Sequence, residues 1–366
     1  MVNAIKNVVL SIFDYITHVF KVKDNRVICS NFNGRKYDGN SKFMCEEIKK
    51  YYPNIEIYCL GKKNEIIDNI NYVKFPSFKA FYIFSTSRLW ISNVRLPIWL
   101  KKKKSQFYIQ TWHGKGPFKN VEKLAIDSLD KNYIKTAISD SKKMDLLIAP
   151  DKYNADFLRS CFWYDGEIVE YDLSYSLKID FKNNSKEIIK KIKEKYNIKE
   201  KEKIILYAPT FRKYDYNYDF NLKNISSDYK VLIKLHPGIK NYNITGKNII
   251  NVSDYSSLDE LLVASDILVS DYSSVVYDYL FYNKEVYLYA PDYEEYKKDR
   301  GFYVDYKNMP FPISYSIEEL EKQIKNKEFK KYEKKIEDYI TSNSFYKDNR
   351  KNIKIIIDRL SKVLKK

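Results

Sequence analysis

Two successive series of short apolar, β-rich runs, most followed by a helical pattern, restrict the fold of this chain more than any other feature of it. In the first series the runs fall at residues 26–30 (RVICS), 55–60 (IEIYCL), 71–75, 89–93, 107–111 (FYIQT) and 146–149 (LLIA). Helical patterns occupy 41–52 and 78–86 between them. Polarity rises after about residue 172, and 182–195 reads as a charged helix. A second series then starts, with runs at 203–207 (KIILY), 230–235 (KVLIKL), 248–251, 267–270 (ILVS) and 286–289 (VYLY). Such alternation implies parallel sheets covered by helices. A length of 366 residues suits two domains. The expected fold is α/β, with Rossmann-like domains at 24–175 and 176–340. Ligands of such sheets bind beyond the carboxyl ends of the strands, so two facing domains would line a cleft with loops from both.

The ends of the chain add helices. Residues 1–23 carry apolar side chains at helical spacing: Ile5, Val8, Val9, Ile12, Ile16 and Val19. One reading is an in-plane membrane helix, widened by Phe13 and Phe20, with Lys6, Lys21 and Lys23 near anionic headgroups. The other is a helix packed on the domain. Residues 341–366 carry an apolar stripe (Ile353, Ile356, Ile357, Leu360, Val363, Leu364) that suits docking on the domains. No uninterrupted apolar stretch is long enough to span a membrane, and the first 21 residues lack the pattern of a cleaved signal peptide.

The net charge of +17 calls for an anionic partner: nucleic acid, a membrane surface or a phosphorylated substrate. Nucleic-acid binding lacks a helix-turn-helix, zinc-finger, RRM or KH pattern to carry it. Basic residues and tryptophans coincide at 88–104: Arg88, Arg95 and Lys101–Lys104 with Trp90 and Trp99. This segment reads either as a surface for lipid headgroups or a polyanionic acceptor, or as a solvated loop with its tryptophans in the core. Cys29, Cys45, Cys59 and Cys161 form no C-x-x-C pair and have no zinc-ligand spacing. Cys29 and Cys59 suit core positions, and a reduced, cytosolic protein is expected.

Residues able to do chemistry gather at strand ends. Of three histidines, His113 and His236 each directly follow a predicted strand and stand beside Gly114 and Pro237; His18 lies in the N-terminal helical pattern. Imidazole titrates near neutral pH and can take a proton from a hydroxyl or hold a phosphate. The 203–207 run leads into Thr210 and Arg212, and the 267–270 run into Asp271, Ser273 and Ser274 at the mouth of a helix, with Asp278 one turn on. Helix N-termini suit phosphate, although Ser and Asp there are also ordinary caps. There is no P-loop, no G-x-G-x-x-G and no D-x-D in a strand-end setting, which favours transfer without a metal or other cofactor.

In these motifs the chain resembles the CDP-glycerol glycerophosphotransferase family, the teichoic-acid primases and polymerases and their capsule-synthesis relatives. The motifs are Thr111-Trp-His-Gly-x-Gly, Tyr207-Ala-Pro-Thr-Phe-Arg212, Lys234-Leu-His-Pro237, Ser270-Asp-Tyr-Ser-Ser274 with Asp278, and Arg300-Gly301. Two earlier pieces also fit: Phe32-x-Gly34-x-x-Tyr37-x-x-Asn40, and Trp90-Ile-Ser-Asn93 before Arg95. The set spans most of residues 26–305. One departure is the stretch Gly166-Glu-Ile-Val-Glu-Tyr-Asp172, where the family commonly carries Gly-x-Pro-Arg-x-Asp. The resemblance implies a GT-B-like fold, a CDP-polyol donor, and a place on the inner face of the cell membrane. It implies that His113 is the base for the acceptor hydroxyl, in the turn it makes with Gly114. It implies that Arg212, His236, Ser273 and Ser274 hold the donor pyrophosphate. Asp278 would contact the ribose, and Thr210 and Arg300 would belong to the donor site. Ribitol-bearing or nucleotide-sugar donors remain open, as do lipid-linked, polyol-phosphate and capsular acceptors.

Overall fold

A computed structural model describes residues 2–32, 34, 39–62, 64–67, 70–214, 216–218, 220–236, 238–239, 246 and 248–364. Tyr37 and Pro237 of the motifs, and the side chains of Ile5 and Lys6, lie outside the described residues. The chain divides into two compact units. Unit 1 holds residues 1–114, 121–174 and 347–366; unit 2 holds 115–120 and 175–346.

In unit 1 the elements run α1 (Val2–Thr17), β1 (Lys23–Ser30), α2 (Gly39–Tyr51), β2 (Glu56–Gly61), β3 (Glu65–Ile67), β4 (Ile70–Lys74), α3 (Phe78–Thr86), β5 (Ser87–Ser92), β6 (Phe107–Gln110), α4 (Lys131–Ser141), β7 (Leu146–Ala149), α5 (Lys152–Cys161) and β8 (Glu167–Glu170). Among the described residues they form an eight-stranded sheet of order β3-β4-β2-β1-β5-β6-β7-β8, parallel except for the β3–β4 pair. Alternate residues of each strand serve opposite faces. Val27, Cys29, Leu89 and Ile91 join one core with α2, whereas Ile28, Trp90 and Tyr108 join the other with α3 and α5. Ser77, Asp130 and Asp151 cap α3, α4 and α5 through side-chain oxygens that accept backbone N–H groups.

Unit 2 comprises α6 (Tyr175–Asn183), α7 (Ser185–Lys195), β9 (Lys203–Tyr207), β10 (Tyr229–Ile233), β11 (Ile249–Asn251), α8 (Leu258–Ala264), β12 (Ile267–Ser270), α9 (Val275–Leu280), β13 (Glu285–Tyr289), α10 (Tyr293–Arg300), β14 (Ile313–Ser314), α11 (Ile317–Lys325) and α12 (Glu333–Ser342). Its sheet has the order β11-β10-β9-β12-β13-β14, all parallel among the described strands. Strands such as β12 are buried throughout, as parallel strands covered on both faces must be. After α12 the chain returns to unit 1 as α13 (Ile353–Ser361). Ile353, Ile356 and Leu360 join the Val27–Cys29 core, and the Asn352 side chain donates to the Glu170 carbonyl.

Two features differ from simple packing expectations. Helix α1 does not bury the apolar stripe read from its sequence. It docks through Leu10, Asp14 and Thr17, with Phe13 edge-on to Phe78 and Phe81. Asp14 accepts from the Lys101 backbone, and the Thr17 carbonyl accepts from Ser85. Val8, Val9, Ile12, Ile16 and Val19 are left exposed. Segment 88–104, by contrast, keeps Lys101 and Lys104 exposed but turns most of its other basic and aromatic side chains inward or onto protein partners. Trp90 is fully buried, Trp99 packs on Phe75 and Phe81, and Arg95 is buried among acids. Lys102 pairs with Asp145 at 2.5 Å, and Lys103 donates to the Phe20 carbonyl.

Candidate active site

Both sheets reverse strand order at one place, β1/β5 in unit 1 and β9/β12 in unit 2. Such switch points are where open parallel sheets hold ligands, and the motif residues lie there.

In unit 1, His113 follows β6 through a turn in which Trp112 takes φ +49°. A bulky residue in this region costs about 1–3 kcal/mol unless its surroundings enforce it. Here the Asn40 amide donates to the Thr111 and Trp112 carbonyls, and the Trp112 N–H donates to the Gln110 side chain. Asn40 comes from α2, beyond β1, which explains the early motif. Gly34 has φ +86°, and a Cβ there would lie 3.2 Å from the backbone of Leu60 and Gly61, so glycine is required. Asn93, at the end of β5, accepts the Phe32 N–H on its side chain and donates to Asn31. Its carbonyl lies 2.6 Å from His113 Nδ1. A carbonyl only accepts, so Nδ1 carries the proton and Nε2 is the basic nitrogen. Phe32 and Trp112 flank the ring, with centroids at 5.4 and 4.2 Å. The imidazole itself is exposed. Beside it opens a cavity of about 460 Å³, reaching Arg95 and the Asn132, Tyr133 and Thr136 side chains of α4.

The chain passes into unit 2 directly after Gly114. Gly116 has φ +70°, and a Cβ there would fall 2.3 Å from the Tyr277 ring. The strap that follows pairs with 301–303: Asn120 N–H donates to the Gly301 carbonyl and Tyr303 N–H to the Phe118 carbonyl. This brings the Lys119 ammonium near Arg300 and Asp271. Burial pushes Lys119 down to about 8; Asp271 opposes that shift, and Arg300 and Arg212 add to it. Lys119 was not singled out from sequence, because only tertiary pairing places it there.

At the β9/β12 switch point the Asp271 carboxylate accepts the Thr210 N–H at 2.9 and 3.1 Å. Thr210 Oγ1 is buried and has no partner among the described residues. Ser273 and Ser274 are part-exposed ahead of α9, and the Ser274 hydroxyl makes no cap bond. Asp278 pairs with the buried Lys178 at 2.6 Å. Arg300 is part-exposed, 3.5 Å from Asp299. In the loop after β10, the strand next to β9, the His236 Nδ1 accepts the Gly238 N–H at 3.1 Å. That bond favours the ring with its proton on Nε2, which can then donate a hydrogen bond.

Arg212, which the resemblance assigns to the donor phosphate, has its guanidinium turned to protein groups. The side chain is 1% exposed. Nε and Nη2 donate to the Asp292 carboxylate at 2.6 and 3.0 Å, and Nη1 donates to Asp271 at 2.8 Å and the Thr210 carbonyl at 2.6 Å. Tyr216, Tyr272 and Tyr296 surround the guanidinium, with ring centroids 4.8–5.0 Å away. Burial opposes its charge, but Asp271 and Asp292 more than offset this and hold it protonated. Arg212 ties the loop after β9 to the loop after β12 and thereby sets the positions of Thr210, Asp271 and the serines.

Sequence comparison decides the family: residues 12–361 match that of the CDP-Glycerol:Poly(glycerophosphate) glycerophosphotransferases. The chain belongs to it. A teichoic acid poly(glycerol phosphate) polymerase of Bacillus spizizenii is 31% identical over 339 residues, covering 84% of this chain and 85% of that protein. Another, of Staphylococcus epidermidis, is 31% identical over 371 residues; there the alignment takes in 91% of this chain but only 51% of the relative, so the chain spans about half its length. Among solved structures, a histidine-to-asparagine variant of the wall teichoic acid polymerase TagF soaked with CDPG superposes with a TM-score of 0.80 at 29% identity, covering 99% of this chain and 96% of that one. The fold is thus the GT-B-like fold of this glycerophosphotransferase family.

Proposed function

We propose that the chain transfers glycerol phosphate from CDP-glycerol to a hydroxyl of a teichoic-acid or related cell-envelope acceptor and releases CMP. The observation that carries the reading is the His113 frame, a family motif held with Nδ1 on a carbonyl and Nε2 as base. The acceptor hydroxyl gives its proton to Nε2 as its oxygen attacks the phosphorus bearing glycerol. The bond from that phosphorus to CMP breaks, and CMP leaves opposite the incoming oxygen. Charge builds on the departing phosphate, so unit 2 works by placement and charge compensation. Lys119 and Arg300 supply cations there, the serines and His236 supply donors, and Asp278 suits a ribose hydroxyl. Arg212 acts through the loops it ties.

The enzyme is proposed to work at the inner face of the cell membrane. The supporting observation is the exposed stripe of α1, Val8 59%, Ile12 50% and Val19 78% exposed, beside the exposed Lys21 and Lys23. Among the described residues no helix is long and apolar enough to cross a membrane. The test of the reaction is a donor panel of CDP-glycerol, CDP-ribitol and UDP-sugars with a glycerol-phosphate-primed acceptor. CMP release from CDP-glycerol is expected. Preference for CDP-ribitol would move the reading to that polyol, and turnover only of UDP-sugars would overturn it.

A further inference from the structure

The cavity beside His113 has a chemistry of its own. Its volume of about 460 Å³ lies in the range of small-ligand pockets. Val94 and Trp112 give it apolar walls. Asn132 and Thr136 stand four residues apart on α4, hence on one helix face, and both line the cavity. The α4 backbone is fixed by the Asp130 cap, whose carboxylate accepts the Asn132 and Tyr133 N–H groups.

The charge around the cavity is already matched. Arg95 Nε and Nη2 donate to Glu122 at 3.2 and 2.8 Å, and Nη1 faces Asp140 at 3.4 Å and donates to Ser141 at 3.0 Å. The guanidinium also stacks 3.9 Å above the Phe162 ring. The Tyr133 hydroxyl donates a hydrogen bond to the other Glu122 oxygen. Two carboxylates, Glu122 and Asp140, answer the Arg95 guanidinium and the Lys143 ammonium near Asp140, which leaves no surplus positive charge for a phosphate. Asn132 and Thr136 are different: among the described residues neither side chain has a hydrogen-bond partner. An amide and a hydroxyl, which both donate and accept, suit a ligand of hydroxyl groups.

We infer that the Asn132–Thr136 face of this cavity binds the uncharged polyhydroxyl end of the acceptor, and so presents its terminal hydroxyl to His113. This rests on the proposed function and deepens it. The pocket selects an acceptor ending in a free polyol or sugar and disfavours one ending in a phosphate monoester.

The test uses the full chain and the double variant Asn132→Leu/Thr136→Val. Asn132 is exposed and Thr136 part-buried, so the fold should tolerate both changes, and an unchanged Tm checks this. Two synthetic glycerol-phosphate oligomers serve as probes, one ending in free glycerol and one in a phosphate monoester. With CDP-glycerol at saturation, the acceptor KM of the variant should rise roughly 10-fold or more from two lost hydrogen bonds, with donor Kd unchanged. The parent should discriminate against the phosphate-ended oligomer. Saturation-transfer NMR, which needs no turnover, should show contact to the terminal glycerol protons in the parent and its loss in the variant. A parent that binds the oligomer this way but does not consume CDP-glycerol would sink the functional reading and spare the pocket. An active parent with unchanged variant KM and NMR contacts, or equal use of both oligomers, would overturn the pocket.

Discussion

Replacing Arg212 by methionine separates a loop-tying role from direct phosphate contact. The substitution keeps most of the volume among Tyr216, Tyr272 and Tyr296 but removes four hydrogen bonds and the charge opposing Asp271 and Asp292. Breaking a buried ion pair from one side costs about 3–5 kcal/mol. At roughly 2–4 °C per kcal/mol for a unit of this size, Tm should fall by roughly 6–20 °C. The loss should depend on pH. In the parent, burial raises the Asp292 carboxyl, but Arg212 and the hydroxyls of Tyr214 and Tyr272 win and hold it below the ordinary value. A depressed carboxylate contributes stability that is present at neutral pH and is lost as pH falls through its folded value. In the variant Asp292 loses its guanidinium partner and is destabilising while ionised. The Tm gap should therefore be widest near neutrality and narrow on acidification. Calorimetric melts between pH 7.5 and about 4.5, with titration of CDP-glycerol at each pH, make the assay. Donor affinity should fall only with the disordering of the loop. A Tm within about 2 °C of the parent, together with a tenfold or greater loss of donor affinity, would contradict the reasoning and make Arg212 a direct phosphate ligand.

Two further outcomes are expected. Lys119 is held near 8 between Asp271, Arg300 and Arg212, so it is charged below that pH and loses its proton above it. Donor affinity should drop as pH rises through about 8, and Lys119→Met should flatten that dependence; an identical pH profile in the variant would remove Lys119 from the donor site. The triple change Val8→Ser/Ile12→Ser/Ile16→Ser on the exposed face of α1 should reduce co-sedimentation with vesicles containing anionic lipid, without a change in Tm, and undiminished binding would exclude this face as the membrane contact.

What could be read from sequence follows from range of interaction. Strand placement was legible because buried parallel strands such as β12, and β9 beyond its exposed Lys203, are largely apolar runs. The strand-end positions of His113 and His236 were legible for the same reason. Strand β3 was missed: it has three residues and pairs antiparallel at an edge, too short to show a period. The environment of Arg212 was also missed, since its acids and aromatic rings come from residues 216, 271, 272, 292 and 296 and meet only in three dimensions. The α1 stripe was seen, but periodicity does not say what an apolar face meets. Likewise the basic look of 88–104 hid the fact that Arg95 and Trp90 point inward. The Asn132–Thr136 face carries no motif, and its meaning depends on the adjacent His113.

The central claim is that His113 takes the acceptor's proton in glycerol-phosphate transfer, and single-turnover CMP release by His113→Ala tests it most directly. The account predicts a loss of about 10²–10⁴-fold in rate, the usual worth of a positioned base, with CDP-glycerol affinity close to that of the parent. A variant that releases CMP as fast as the parent would contradict it.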